Sequence, residues 1–168
     1  MKHSMKKRVF SPARRFLLVA VLGAGSLLSA CKKDYVKIDD KLINKYLTDN
    51  QITNAQRQES GLYYVPYTTD SVAVQAKAGR TVSVLYTGKL LNGTIFDASA
   101  RHGNVPISFV LGQGRVIKGW DEGIALMHKG DKGLLLIPSA LAYGEAGSPP
   151  SIPKNAPLQF EVQLVDVR

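Results

Sequence analysis

Over the second half of the chain apolar and polar side chains alternate with a period of two, and that alternation predicts strands. Val82, Val84 and Tyr86 alternate with Thr81, Ser83 and Leu85, and Asn92-Gly93 then supplies a strong hairpin signal. Ile107, Phe109 and Leu111 form a second alternating set, closed by Gly112-Gln113-Gly114. The rhythm then changes: Trp120, Ile124 and Met127 fall at i, i+4 and i+7, the stripe of one short helix. After Gly130-Asp131-Lys132-Gly133 the run Leu134-Leu135-Leu136-Ile137 reads as a buried strand, and Leu158, Phe160, Val162 and Leu164 as the inner face of a last one. One helix among many strands predicts an α+β domain, an antiparallel sheet packed on that helix.

Upstream, Gly61-Leu62-Tyr63-Tyr64-Val65 is aromatic and β-branched, which suggests a further strand at the sheet edge. Before it, Ile38, Leu42, Ile43, Tyr46 and Leu47 share one face of a short helix over 39–48, with Asp39-Asp40 in its first turn favoured by the positive helix end. That helix is marginal alone and is expected to dock on the domain or act as a spacer; residues 32–37 read as a polar stalk.

The first thirty residues differ in kind. A basic start ends at Arg14-Arg15, and Phe16 to Ala30 is apolar or small. A bilayer-spanning helix needs roughly 20 apolar residues; this run is shorter and has the anatomy of a secretory signal. Arg14-Arg15-Phe16-Leu17 faintly resembles a twin-arginine export signal. The boundary Leu28-Ser29-Ala30-Cys31 resembles the bacterial lipobox, which implies fatty acylation of Cys31 (palmitate being the expected type) and cleavage just before it. Two or more acyl chains, at about 0.8 kcal/mol per buried methylene, hold a protein stably on a membrane.

The formal charge of +9 shrinks once this leader is set aside. Six of the 22 basic residues and none of the 13 acidic ones precede residue 31. No basic run interleaved with aromatics remains beyond it, so nucleic acid is not an expected partner. The one cysteine rules out an internal disulfide and a thiolate metal cluster. His102 and His128 lack metal-ligand spacing, so neither a metal nor another cofactor is expected.

Five segments, in order, carry a family resemblance: Val84-Leu85-Tyr86-Thr87-Gly88, Gly93-Thr94-Ile95-Phe96-Asp97-Ala98-Ser99, Val116 to Gly123, Ala142-Tyr143-Gly144, and Ile152-Pro153-Lys154-Asn155 with Leu158 and Phe160. Over residues 76–168 the chain resembles FKBP-type peptidyl-prolyl cis–trans isomerases, here in a bacterial lipoprotein form. The resemblance implies a curved antiparallel sheet wrapped on the short helix, with a proline-accepting pocket between them. It implies that Trp120 is the pocket floor and that Tyr86, Phe96, Val116, Ile117, Ile152 and Phe160 are its walls, with Ile107 at the edge. Tyr143 and the backbone N–H of Ile117 would donate to substrate carbonyls, and Asp97 would be the one charged group at the pocket, held by neighbouring hydroxyls and facing the twisting amide. Ile107, Ser148 and Ser151 depart from bulkier residues common in relatives, and Arg101 is not assigned the role of orienting Asp97.

The expected organisation is a signal peptide (1–30), a lipidated stalk with a short helix (31–60) and an isomerase domain (61–168). The expected partners are proline-containing polypeptides, macrolide inhibitors and, through the lipid anchor, a membrane of the bacterial envelope, at the outer membrane or periplasmic face. A monomer is expected. Two alternatives stay open from the residues: a non-catalytic chaperone or assembly module that binds proline segments, and a structural envelope protein.

Overall fold

The computed structural model describes residues 28–168, with side chains from residue 35 onward. The leader, apart from its last three positions, lies outside the described residues, as does the side chain of Cys31. The chain runs through α1 (Leu28–Asp49), β1 (Gln56–Arg57), β2 (Tyr63–Thr68), β3 (Thr81–Leu90), β4 (Ile95–Ala98), β5 (Ile107–Val110), α2 (Lys118–Ala125), β6 (Lys132–Ile137) and β7 (Leu158–Val167). All strand pairs are antiparallel, in the order β1-β2-β6-β7-β3-β4. β5 also pairs with β3, so β4 and β5 share successive halves of the same β3 edge.

The alternation in β3 and β7 does what its period requires. Val82 and Val84 on β3 and Leu158, Phe160, Val162 and Leu164 on β7 enter one core with Trp120 and Ile124 of α2. Asn92-Gly93 makes the turn between β3 and β4, with Gly93 at φ +89° and the Asn92 side chain accepting from Thr94 N–H. β2 pairs with β6, so the aromatic segment is a strand added beside the domain sheet, with only the two-residue β1 beyond it.

β6 explains why four apolar residues stand in a row. Leu135 and Ile137 point to the α2 core, while Leu134 and Leu136 enter a second cluster on the opposite face with Tyr63, Val65 and the α1 residues Ile43 and Leu47. A strand covered on both faces has no solvent side for a polar residue. The short helix therefore docks, and its docking makes this sheet two-sided.

Two expectations about α1 change. It is longer than 39–48, running back to Leu28 through the segment that reads as a stalk. Once the docked turns supply a nucleus, each added residue gains a hydrogen bond without a new nucleation cost. Its buried stripe also differs: Asp39, Ile43 and Leu47, spaced by four, face the domain, whereas Ile38 and Leu42 point outward. Asp39 is not a solvated dipole partner. It is 1% exposed, and its Oδ2 accepts from the Ser139 N–H at 2.8 Å and from the Ser139 hydroxyl at 2.6 Å. Tyr46 adds a second polar tie, its hydroxyl donating to Gln159, which in turn donates to the Leu90 carbonyl.

Ile43→Ala should therefore destabilise the domain by about 2–4 kcal/mol, the usual loss for emptying a buried aliphatic site. Urea unfolding of the chain from residue 32 onward measures it. A loss below about 0.5 kcal/mol, the scale of a surface substitution, would mean that α1 does not pack on the sheet in solution.

Candidate functional site

Glycine sets the site's depth. On α2, Gly119 and Gly123 face β6 one helical turn apart. A Cβ at Gly119 would overlap the Ile137 side chain, and one at Gly123 would lie 2.6 Å from Leu135 Cδ2. Only a helix bare at both positions reaches this close to the strand. Trp120, between them in sequence, is 4% exposed and is boxed by rings. Tyr86 and Phe160 meet it edge-on at centroid distances of 5.1 and 5.3 Å, and Phe109 lies 5.9 Å away. Edge-to-face contacts of this kind add about 0.5–1.5 kcal/mol beyond area burial, which holds the indole in one orientation.

A second glycine shapes the wall. Phe96 on β4 and Phe160 on β7 meet at 5.5 Å across β3, where Gly88 lies between them. A Cβ there would fall 2.7 Å from ring atoms of both. The loop before α2 is fixed from the other side, because the Asp121 carboxylate accepts the N–H groups of Gly112 and Gly114 at 2.8 and 2.9 Å. The sequence suggests a solvated face for Asp121 and Glu122. In the structure Asp121 instead clasps this loop, whose two glycines sit at positive φ, and Glu122 accepts from the Ser60 hydroxyl.

These elements enclose a cavity of about 430 Å³. Every pocket residue named from the sequence lines it: Tyr86, Phe96, Asp97, Ile107, Val116, Ile117, Trp120, Tyr143, Ile152 and Phe160. Ser148 and Ser151 line it too, and so does Arg115, which no motif singles out, so Asp97 is not the one charged residue at the pocket. Ile117 is the N-cap of α2, so its own N–H precedes the helical ladder while its carbonyl accepts from Trp120 and Asp121. Ile107 and Tyr143 are each 40% exposed and form the rim.

The carboxylate of Asp97 is held on all sides. Its Oδ2 accepts from the Tyr86 hydroxyl at 2.6 Å; its Oδ1 meets the Ala98 N–H at 2.8 Å and His102 Nε2 at 2.9 Å. Burial alone would raise the pKa of Asp97, but the bonds from Tyr86, His102 and Ala98 outweigh it and hold the carboxyl below its usual range. Burial, then the bond to Asp97, pushes the Tyr86 phenol up to about 12. Burial, with the field of Asp97 added, also raises the Tyr143 phenol. Both phenols stay protonated at neutral pH and so keep a proton to donate. Arg101 turns away from Asp97 and donates to the carbonyls of Phe96 and Ile95. The partner that sequence reasoning missed is His102. Its distance from Asp97 along the chain carries no periodic signal, because a 3₁₀ turn over Ser99–His102 brings it back.

Residues 73–165, more than half of the chain, match the family model described as FKBP-type peptidyl-prolyl cis-trans isomerase. The chain is 56% identical over 96 residues to the peptidyl-prolyl cis-trans isomerase FPR2 of Saccharomyces cerevisiae, covering 56% of this chain and 70% of that protein. It is 48% identical over 98 residues to the peptidyl-prolyl cis-trans isomerase FKBP2 of Mus musculus, covering 58% and 69% respectively. The crystal structure of FkpA from Escherichia coli superposes with a TM-score of 0.68 at 36% identity, over 83% of this chain and 63% of that one.

If the Phe96–Phe160 contact shapes the cavity, Gly88→Ala should cost about 1–3 kcal/mol by overpacking and weaken proline-peptide binding. Thermal unfolding and Trp120 emission measure the two effects. Unchanged emission and affinity would show that the rings do not define the wall.

Proposed function

The chain belongs to the FKBP-type peptidyl-prolyl cis-trans isomerase family, and from that premise we propose that it speeds X–Pro rotation in exported polypeptides by desolvating the amide and binding its twisted form. The observation that carries this reading is the cavity above Trp120, walled by aromatic and aliphatic side chains, whose only carboxylate already has three hydrogen-bond partners.

Rotation about a peptide C–N bond meets a barrier of roughly 18–20 kcal/mol, because resonance keeps it planar. X–Pro bonds populate both isomers and exchange over about 10–100 s unaided. The planar amide is the more charge-separated form, so an apolar site stabilises it less than water does. Twisting pyramidalises the nitrogen and weakens resonance, and donors set for that geometry bind it preferentially. In this reading the Ile117 N–H and the Tyr143 hydroxyl, on residues that line the cavity, serve as such donors, with Trp120 under the proline ring. Lowering the barrier by about 5–6 kcal/mol gives roughly ten-thousand-fold acceleration.

The electrostatics favour this route over acid–base chemistry. A general base works best with a pKa near the operating pH. Asp97 is pushed down and Tyr86 up, so both are moved away from neutrality. No nucleophile and no proton transfer are needed. The family's named isomerases, together with Asp97, Tyr143 and Trp120 around one cavity, favour turnover over a module that only holds proline segments.

The same proposal places the enzyme outside the cytoplasm, fixed by acyl chains on Cys31 to an envelope membrane, as a monomer. The basic, short apolar and small-residue order of residues 1–30 supports export, and the Leu-Ser-Ala-Cys boundary supports the anchor. Among the described residues no helix is long and apolar enough to cross a membrane.

Two measurements test the reading. In an isomerisation assay on proline tetrapeptides, Asp97→Ala and Tyr143→Phe should each lower kcat/KM several-fold, about the worth of one hydrogen bond, with residual activity clearly above background. Complete loss from either, in a variant that unfolds at the normal temperature, would point to different chemistry. Separately, Cys31→Ala should move the protein from the membrane to the soluble fraction or block its processing; normal membrane retention would refute the anchor.

A further inference from the structure

We infer that His102 is a positioning residue for Asp97, and that its protonation makes substrate seating in the cavity tighter at mildly acidic pH. This rests on the isomerase reading and adds a control to the same site. His102 Nε2 lies 2.9 Å from Asp97 Oδ1, and the imidazole is 63% exposed. The neighbouring arginine does not compete. Arg101 is spent on the carbonyls of Phe96 and Ile95.

The charged and titratable groups around the imidazole are few. Asp97 stands on β4, Tyr86 lies behind it on β3, and Arg101 is on the same turn. Lys89, the other ionisable residue of β3 besides Tyr86, is paired with Glu161, and β5 carries none. Tyr143 and Arg115 line the same cavity. Among these residue types histidine is the one that ordinarily changes charge between pH 5 and 8.

The two charge states act differently on the carboxylate. A neutral imidazole has two tautomers, and only the one with hydrogen on Nε2 donates to Asp97; the other sets a lone pair against an anion. The imidazolium always donates, and its charge offsets that of Asp97. A fixed Asp97 in turn fixes the Tyr86 hydroxyl, whose ring is a wall of the cavity and packs edge-on against Trp120. Protonation of His102 thus stiffens the wall and reduces the uncompensated charge beside a site that seats an apolar ring. Because the pair is solvent-exposed, its worth is that of a surface ion pair, a change of about two- to fivefold in affinity.

The test compares the wild type with His102→Arg and His102→Gln between pH 5.5 and 8.0, using the tetrapeptide Ala-Leu-Pro-Phe. Arginine keeps the charge throughout the range; glutamine keeps a donor without charge. Wild-type kcat/KM should be about two- to fivefold higher at the acidic end, the change lying in KM rather than kcat. His102→Arg should hold the acidic value across the range and His102→Gln the alkaline one. Peptide affinity from Trp120 emission should follow the same pattern, and that reading does not require turnover. If no variant turns over but the affinity pattern holds, the isomerase reading fails and the His102 assignment stands. A flat wild-type affinity, or the wild-type pH curve persisting in His102→Gln, would overturn the assignment whatever the activity.

Discussion

The distance between α2 and β6 sets everything else at the site. Gly119 and Gly123 leave room for the side chains of Ile137 and Leu135, and no other residue type does so without moving the helix. Interiors are packed as densely as organic crystals, so a helix displaced by one methyl group shifts its neighbours rather than compressing them. Trp120 travels with α2. Its depth decides whether the space above it is a cavity or a filled core, and the rings of Tyr86, Phe160 and Phe109 then lock it there. On the far side of β6, α1 covers Leu134 and Leu136, so the strand is braced from both faces and cannot yield outward.

Within that frame the one carboxylate of the cavity is already bonded. Asp97 shares its oxygens among Tyr86, Ala98 and His102. A carboxylate so held makes a poor base, and its charge stays in one place beside the cavity. Rotation about an amide bond makes and breaks no covalent bond. A site for it needs shape, dryness and one or two fixed donors, which are the features a small sheet domain provides at low cost in buried polar groups.

Much of this was legible in the sequence, and for a plain reason. Period-two alternation in β3 and β7, the Asn92-Gly93 turn and the Trp120–Ile124 stripe are local signals, and locally encoded features survive folding unchanged. The pocket walls were legible through their ordered motifs rather than through periodicity, since Phe96 and Phe160 are far apart in the chain and meet only across Gly88. What the sequence hid were side chains whose partners come from distant segments. Asp39 looks like a residue for a helix start, yet Ser139, a hundred positions away, buries it. Asp121 looks solvated, yet it closes the Gly112–Gly114 loop. His102 reads as an isolated ring until the turn over Ser99–His102 aims it at Asp97. In each case polar chemistry, which tolerates exposure, gave no pattern; apolar chemistry, which does not, left one.

The contrast between floor and rim bears on what such a site can distinguish. The floor is rigid: Trp120 is buried, boxed by rings and placed by two glycines. The rim is not built that way. Ile107 and Tyr143 are substantially exposed, and Ser148 and Ser151 present small side chains to the cavity. One methylene more or less in a closed apolar pocket changes binding by about 1–3 kcal/mol, and an open edge recovers only part of that difference. On the proposed reading, recognition is strict for the five-membered ring on the indole and lenient for the residues flanking it. That division suits an enzyme whose substrates share a bond rather than a sequence, because the chemistry is complete once the ring is seated and the carbonyl is held.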